Sequence, residues 1–229
     1  MRKVPLANEE YYHIFNRGVD KREVFLDEAD YWRFLFSLQL MNDKNNGAMI
    51  AWRDFKKANQ GATLDQFFLT SDVRKKKQDP LVEIMAYCLN PNHYHMILKQ
   101  IKDKGIEIFM QKVGNGYTKY FNKKNNRSGA LFQGKFKSSH IDTDDYLLYV
   151  SAYVNCNSQV HKIAPAGKYF WSSFREYIGK ESKQPVVLKK EAVLGQFKNS
   201  LEYEEFAMSK IIAMQERKEM EKMESEQFS

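Results

Sequence analysis

Cysteine is nearly absent. Cys88 and Cys156 are the two in 229 residues, too few and too far apart in the chain for a disulfide framework or a cysteine zinc site, so both read as small buried hydrophobes. Long apolar runs are missing as well. Nothing approaches the roughly 18 residues of a membrane span, and MRKVPLANEEYYHIF lacks the apolar centre of a signal peptide, so a cytoplasmic chain with no membrane partner is expected. No internal repeat or low-complexity tract appears. Acidic charge is in deficit, 29 Asp and Glu against 36 Lys and Arg for a formal +7, which favours polyanions, nucleic acid first, over acidic proteins. At 43% hydrophobic the chain can bury a core, and one catalytic domain with an elaboration is the natural expectation.

Strand and helix patterns alternate. EYYHIFNRG is a short β-rich run ended by Gly18, and DEADYWRFLFSLQLM follows with apolar residues at helical spacing. Residues 42–80 are polar at both ends, punctuated by Gly47, Gly61 and Pro80, and read as an insertion with a weak helical pattern. LVEIMAYCL and HYHMILKQI flank the turn NPN and predict an antiparallel hairpin. GIEIFMQKVGNGYTKYFNKKN has helical spacing, ALFQGKFKSSHI is a strand candidate, and DTDDYLLYVSAYVNCN opens on an Asp-rich cap before an apolar helical face. GKYFWSSFREYIGK suggests a packed aromatic turn with a short helix, and the Glu- and Lys-rich end two further helices. The order βαββαβ is the α+β ferredoxin-like arrangement, a four-stranded antiparallel sheet with helices on one face, plus C-terminal helices. Residues 1–180 are expected to form the catalytic domain, with the insertion at about 42–80, and residues 181–229 a C-terminal helical extension.

The stretch NPNHYHMIL places His93 and His95 at the start of the hairpin's second strand, with side chains on one face and Tyr94 on the other. Two imidazoles so placed suit cis ligands of one divalent cation; the plain alternative is two polar strand residues, one hydrogen-bonded and one solvated. In DYLLYVSAYVNCN, Tyr153 and Asn157 lie at i and i+4 on one helical face. An amide oxygen at Asn157 can ligate a hard cation, and a phenol one turn earlier can lie beside the phosphate that the cation polarises. Neutral phenol is a poor nucleophile, so activation of the phosphorus matters.

With these residues the chain resembles the single-tyrosine HUH transposases of the insertion sequence 200-like superfamily, in the REP-associated tyrosine transposase branch. NPNHYHMIL resembles the family's His-hydrophobic-His signature. YYHIFNRGVDKREVFLDEADYWRFL, GALFQGKFKS, YVNCN and WSSFREYIG resemble four further blocks in the same order, over roughly residues 8–40 and 80–180. The resemblance implies Mg²⁺ or Mn²⁺ held by His93, His95 and Asn157, and Tyr153 as nucleophile. It implies transesterification of single-stranded or hairpin DNA through a 5′-phosphotyrosine link with release of a 3′-hydroxyl, in a protein nucleoid-associated when DNA-bound. Asn155 stands where the family commonly has His, Ser158 where it has Pro, and Asn90 where it has Met.

Tyr117 and Tyr120, beside glycines and lysines, are rival nucleophiles; their plain reading is packing or base stacking. From Lys99 to His140 ten Lys or Arg face two acidic residues, with aromatics interleaved, a composition suited to a groove for unpaired bases. Arg127, Lys135, Lys137 and Tyr120 are the DNA-binding candidates there. Arg17, in the resembled Arg-Gly turn, is read as contacting DNA or holding that loop. RKKK at 74–77 is a polyanion patch or a solvated loop. His13, His140 and His161 take plain structural readings. Two rival functions are a DNA-binding relative that keeps the fold without cutting, and a replication-initiator or relaxase-type HUH nuclease. Monomer and homodimer are both left open, as is the hairpin recognised.

Overall fold

The computed structural model describes residues 5–63, 66, 67, 70, 79–180, 186 and 188–227. RKKK at 74–77 lies outside the described residues. Strand β1 (Tyr11–Arg17) leads into helix α1 (Glu28–Met41), and α2 (Gly47–Ala58) lies within the 42–80 segment. The hairpin β2 (Val82–Asn90) and β3 (His93–Gln100) follows, then α3 (Gly105–Lys124), β4 (Lys137–Ile141) and α4 (Asp144–Asn155). A single turn, α5 (Asn157–Val160), continues α4 beyond Cys156, and α6 (Ser200–Gln227) ends the described chain. The sheet order is β2-β3-β1-β4 with every pair antiparallel. This is the ferredoxin-like βαββαβ sheet expected from the pattern.

Cross-strand partners in an antiparallel pair share a face, so the register sorts the sheet into two sides. Tyr12, Ile14 and Asn16 align with Leu98, Met96 and Tyr94 on one. Against that face pack α1 and α3: Phe34 lies 5.2 Å from Tyr94 and 5.1 Å from Tyr117, ring to ring. Phe34, Leu35 and Leu38 are fully buried, and each such side chain stabilises the fold by roughly 1.5–3 kcal/mol. Helix α1 begins where it does because the Asp27 carboxylate accepts from the Asp30 backbone N–H. The opposite face carries His13, Phe15 and Arg17 of β1 opposite Ile97, His95 and His93 of β3, and α4 covers the β2–β3 part of it.

Three local features refine the sequence pattern. The strand expected over 130–141 is confined to Lys137–Ile141, because Gly134 takes a left-handed φ of 69° and turns the chain just before it. Helix α4 is capped by the Thr143 hydroxyl, which accepts from the Tyr146 N–H, rather than by an aspartate. The segment containing α2 has a small core of its own, in which Phe36, Leu40, Ala48 and Phe67 are buried with Trp32, Trp52 and Phe55 against them.

The aromatic block after α5 extends the sheet edge. Leu89 donates its N–H to the Trp171 carbonyl and Ser173 donates to the Tyr87 carbonyl, so residues 171–173 run along the outer edge of β2. That edge is therefore paired rather than open. No helix of the described residues is long and apolar enough to cross a membrane.

Candidate active site

The hairpin turn Pro91–Asn92 starts β3 at His93, and strand alternation puts His93 and His95 on the α4 side, with Tyr94 buried on the α1/α3 side. Their rings stand 5.3 Å apart and nearly perpendicular. The register also places Asn90 opposite His93 and Cys88 opposite His95. From the facing helix, Tyr153 sets its ring edge-on to His95 at 5.4 Å and to His13 at 5.8 Å. One turn later the Asn157 Oδ1 lies 3.2 Å from His93 Nε2. The four residues read as one constellation from the sequence meet in space.

Hydrogen bonding fixes which atoms face inward. Asn92 Oδ1, an acceptor, sits 2.5 Å from His93 Nδ1, so Nδ1 carries the proton and Nε2 is left with its lone pair. His93 is neutral: burial, then the neighbouring His161 and Arg17, push its pKa down to about 3. The Asn90 amide N–H₂ donates to both His93 Nε2, at 2.9 Å, and Asn157 Oδ1, at 2.6 Å. Two acceptors thus converge on a single donor, as they would on a cation. His95 is fixed by a 2.8 Å hydrogen bond between its Nδ1 and His13 Nε2. Burial holds His95 far below the usual imidazole range and His13 down to about 4. Two neutral imidazoles, the lone pair of His93 Nε2 turned toward the Asn157 amide oxygen, form with that oxygen a donor set that fits a divalent cation.

Two histidines that take plain readings from sequence belong to this neighbourhood. His161 groups with His93 and His95, their ligand-capable atoms lying within 4.8 Å of one another, and its ring centroid is 4.6 Å from that of His93. Its signal was spacing: Tyr153, Asn157 and His161 recur every four residues. His13 shares the face of Phe15 and Arg17 by strand alternation, but its pairing with His95 depends on a register that sequence alone does not give. His140 keeps a structural role, bonded to the exposed Glu10 carboxylate at 2.8 Å.

The two departures near the helix end have different fates. Asn155 is buried and knits three elements: Nδ2 donates to the Tyr203 hydroxyl of α6 at 2.7 Å, and Oδ1 accepts from Ser173 Oγ at 2.5 Å. Nothing in the structure explains the serine at Ser158.

The rival tyrosines lie across the sheet. Tyr117 is fully buried and its hydroxyl donates to the Val24 carbonyl at 2.5 Å; burial raises its pKa. Tyr120 donates to the buried Asp30 carboxylate at 3.0 Å. Among the basic candidates, Arg17 and Lys137 align with His93 and Phe15 and so flank the histidine face. Lys135 is exposed in the preceding loop, which is tied to β1 by Gln133 N–H donating to the Arg17 carbonyl. Arg127 holds its own loop, bonding Asn122 Oδ1 and the Ala130 carbonyl. Gly18, after Arg17, is required by space, since a Cβ there would fall 2.3 Å from the Arg22 carbonyl oxygen. Lys218 of α6, unforeseen in the sequence, is near enough that its charge disfavours protonation of His13, His93 and His95.

The site is thus a histidine pair on one face of a ferredoxin-like sheet, with a tyrosine and an asparagine one helical turn apart above it. Residues 60–157 match the model of the family described as "Transposase IS200 like", the superfamily the motifs resemble. No curated protein matches the chain. Among solved structures, one described as a REP-associated tyrosine transposase bound to a REP hairpin is similar at 14% identity and a TM-score of 0.48, covering 78% of this chain and 84% of that one.

Proposed function

We propose that this chain is a single-strand DNA endonuclease and strand transferase that acts on hairpin-containing DNA with Tyr153 as nucleophile. The observation that carries the reading is the approach of Tyr153 to His95 beside the converging His93 Nε2 and Asn157 Oδ1. His93, His95 and Asn157 would hold Mg²⁺ or Mn²⁺, which supplies charge neutralisation and polarisation at the scissile phosphate. The Tyr153 oxygen attacks phosphorus, the bond to the 3′ oxygen breaks, and the departing oxygen takes up a proton as a free 3′-hydroxyl. Attack of a second 3′-hydroxyl on the phosphotyrosine reverses the chemistry and joins a new strand, so the bond energy is retained and no nucleotide cofactor enters. Arg17 and Lys137, with Lys135 in the adjoining loop, line the approach for the phosphates. Tyr120 and Arg127 are left to stacking or loop support away from the reacting centre.

The deciding experiment compares Tyr153→Phe with Tyr120→Phe on single-stranded hairpin DNA and Mn²⁺. The parent and Tyr120→Phe should form an adduct that survives denaturing electrophoresis, whereas Tyr153→Phe should bind DNA and form none. Tyr120→Phe should lower stability by about 1.5 kcal/mol, the low end for a hydrogen bond to a charged group, because Lys124 still contacts the same carboxylate oxygen. An adduct from Tyr153→Phe overturns the nucleophile assignment. Absence of any adduct from the parent favours the non-cutting DNA-binding relative.

A further inference from the structure

We propose that His161 is a third imidazole ligand of the metal site, and that it shifts the site's preference from Mg²⁺ toward Mn²⁺ and the later first-row divalent ions. This rests on the metal-binding reading above and extends its ligand set by a residue that the motif does not contain.

The chain places His161 for this role in two steps. Helix α4 ends at Asn155, and α5 resumes the helical path so that the Asn157 carbonyl accepts the His161 N–H at 3.0 Å. His161 therefore follows Asn157 by one turn, on the side that faces β3. Its ring meets His93 at 60° with centroids 4.6 Å apart. Nitrogen ligands lie about 2.0–2.1 Å from a metal such as zinc, so ligand atoms around one ion are roughly 3–4 Å apart. The present spread, within 4.8 Å, closes to that with sub-ångström movement of each ring. The neighbouring residues hold the turn in place: Lys162 pairs with Glu219 of α6, and Gln215 Nε2 donates to the Gln159 carbonyl at 2.9 Å.

The consequence follows from ligand chemistry. Mg²⁺ prefers oxygen ligands and water, whereas imidazole suits the transition ions, with affinity rising from Mn²⁺ toward Ni²⁺ and Cu²⁺. Two imidazoles with an amide oxygen leave Mg²⁺ competitive. A third imidazole does not.

The test uses the full chain stripped with chelator, titrated with Mn²⁺ while free Mn²⁺ is read by electron paramagnetic resonance, with Mg²⁺ affinity obtained by competition. Substituting residues that merely support metal ligands costs about 10–100-fold in affinity, so His161→Ala should weaken Mn²⁺ by at least about tenfold while changing Mg²⁺ by less than about threefold. Pulsed resonance on the Mn²⁺-loaded parent should count three imidazole nitrogens, a measurement independent of how any variant folds. His93→Ala should abolish Mn²⁺ binding. If His93→Ala binds nothing, His161→Ala binds Mn²⁺ like the parent, and two nitrogens are counted, the third ligand is wrong and the two-histidine site stands. If His93→Ala binds Mn²⁺ as tightly as the parent, both readings fall.

Discussion

A buried amide that donates to two acceptors proposed as ligands of a cation would compete with that cation. Asn90 does this: its N–H₂ satisfies His93 Nε2 and Asn157 Oδ1, and the residue is fully buried. The resembled family has methionine here, which donates nothing. In Asn90→Leu the two acceptors would face each other unsatisfied, a cost of about 1–3 kcal/mol to the metal-free protein, relieved when an ion binds. The variant should therefore melt lower than the parent without metal, yet rise further on Mn²⁺ addition, with affinity higher by roughly tenfold for each 1.4 kcal/mol relieved. Thermal melts of both proteins across a Mn²⁺ series measure this. Equal metal-induced shifts would mean that Asn90 does not compete.

The elements that hold the site are coupled through a polar chain running from the sheet edge to α6. Ser173, on the strand-like block beside β2, accepts from the Tyr87 N–H at 2.9 Å and donates to Asn155. Asn155 in turn donates to Tyr203 of α6, whose hydroxyl also meets Ser151 Oγ at 3.2 Å. These groups are buried, so each bond is costly to leave unmade. Asn155 lies between Tyr153 and Asn157, and the chain thus sets where the proposed nucleophile and the proposed amide ligand stand relative to β3. Ser173→Ala should cost about 1–3 kcal/mol of stability. It should slow adduct formation by roughly tenfold or more, since a misplacement of about 1 Å can cost about a hundredfold. DNA affinity should hold, because Ser173 is buried and is not among the basic residues proposed to carry the phosphates. Denaturant melts, filter binding and single-turnover cleavage separate the three effects; an unchanged cleavage rate in a destabilised variant would limit Ser173 to a structural role.

Across the whole molecule the charge excess is unevenly used. Lys124 is taken up by Asp27 and Asp30, Lys99 by Glu9, Lys102 by Asp79, and Arg127 by its own loop. Arg17 and Lys137 sit instead along the histidine face, with Lys135 exposed nearby, and α6 brings Lys218 toward the same region. If those residues carry the phosphates, binding to a single-stranded hairpin should weaken linearly in log affinity against log salt. Replacing Arg17, Lys135 and Lys137 together with Gln should flatten the slope by up to about 2, three contacts at about 0.7 each. An unchanged slope would move the strand path to another surface.

Much of this was legible locally. Alternation put His93 and His95 on one face, helical spacing put Tyr153 above Asn157, and the NPN turn fixed the hairpin, because these depend on backbone periods that a few neighbouring residues determine. Tyr117 and Tyr120 could not be separated from Tyr153 by type or spacing. They were separated by which face of the sheet α1 and α3 cover, and that is decided by burial of Phe34 and Tyr94 against each other across 60 residues of chain. The pairing of His13 with His95 required the β1–β3 register, the grouping of His161 with His93 required the helix to resume after Cys156 at the right angle, and Lys218 required α6 to fold back over α4 and α5. The sequence by itself determined which side chains each element presents and at what spacing. Only the tertiary structure decided which elements confront one another, because those choices are made by non-local apolar burial and buried polar pairing between residues that the chain holds far apart.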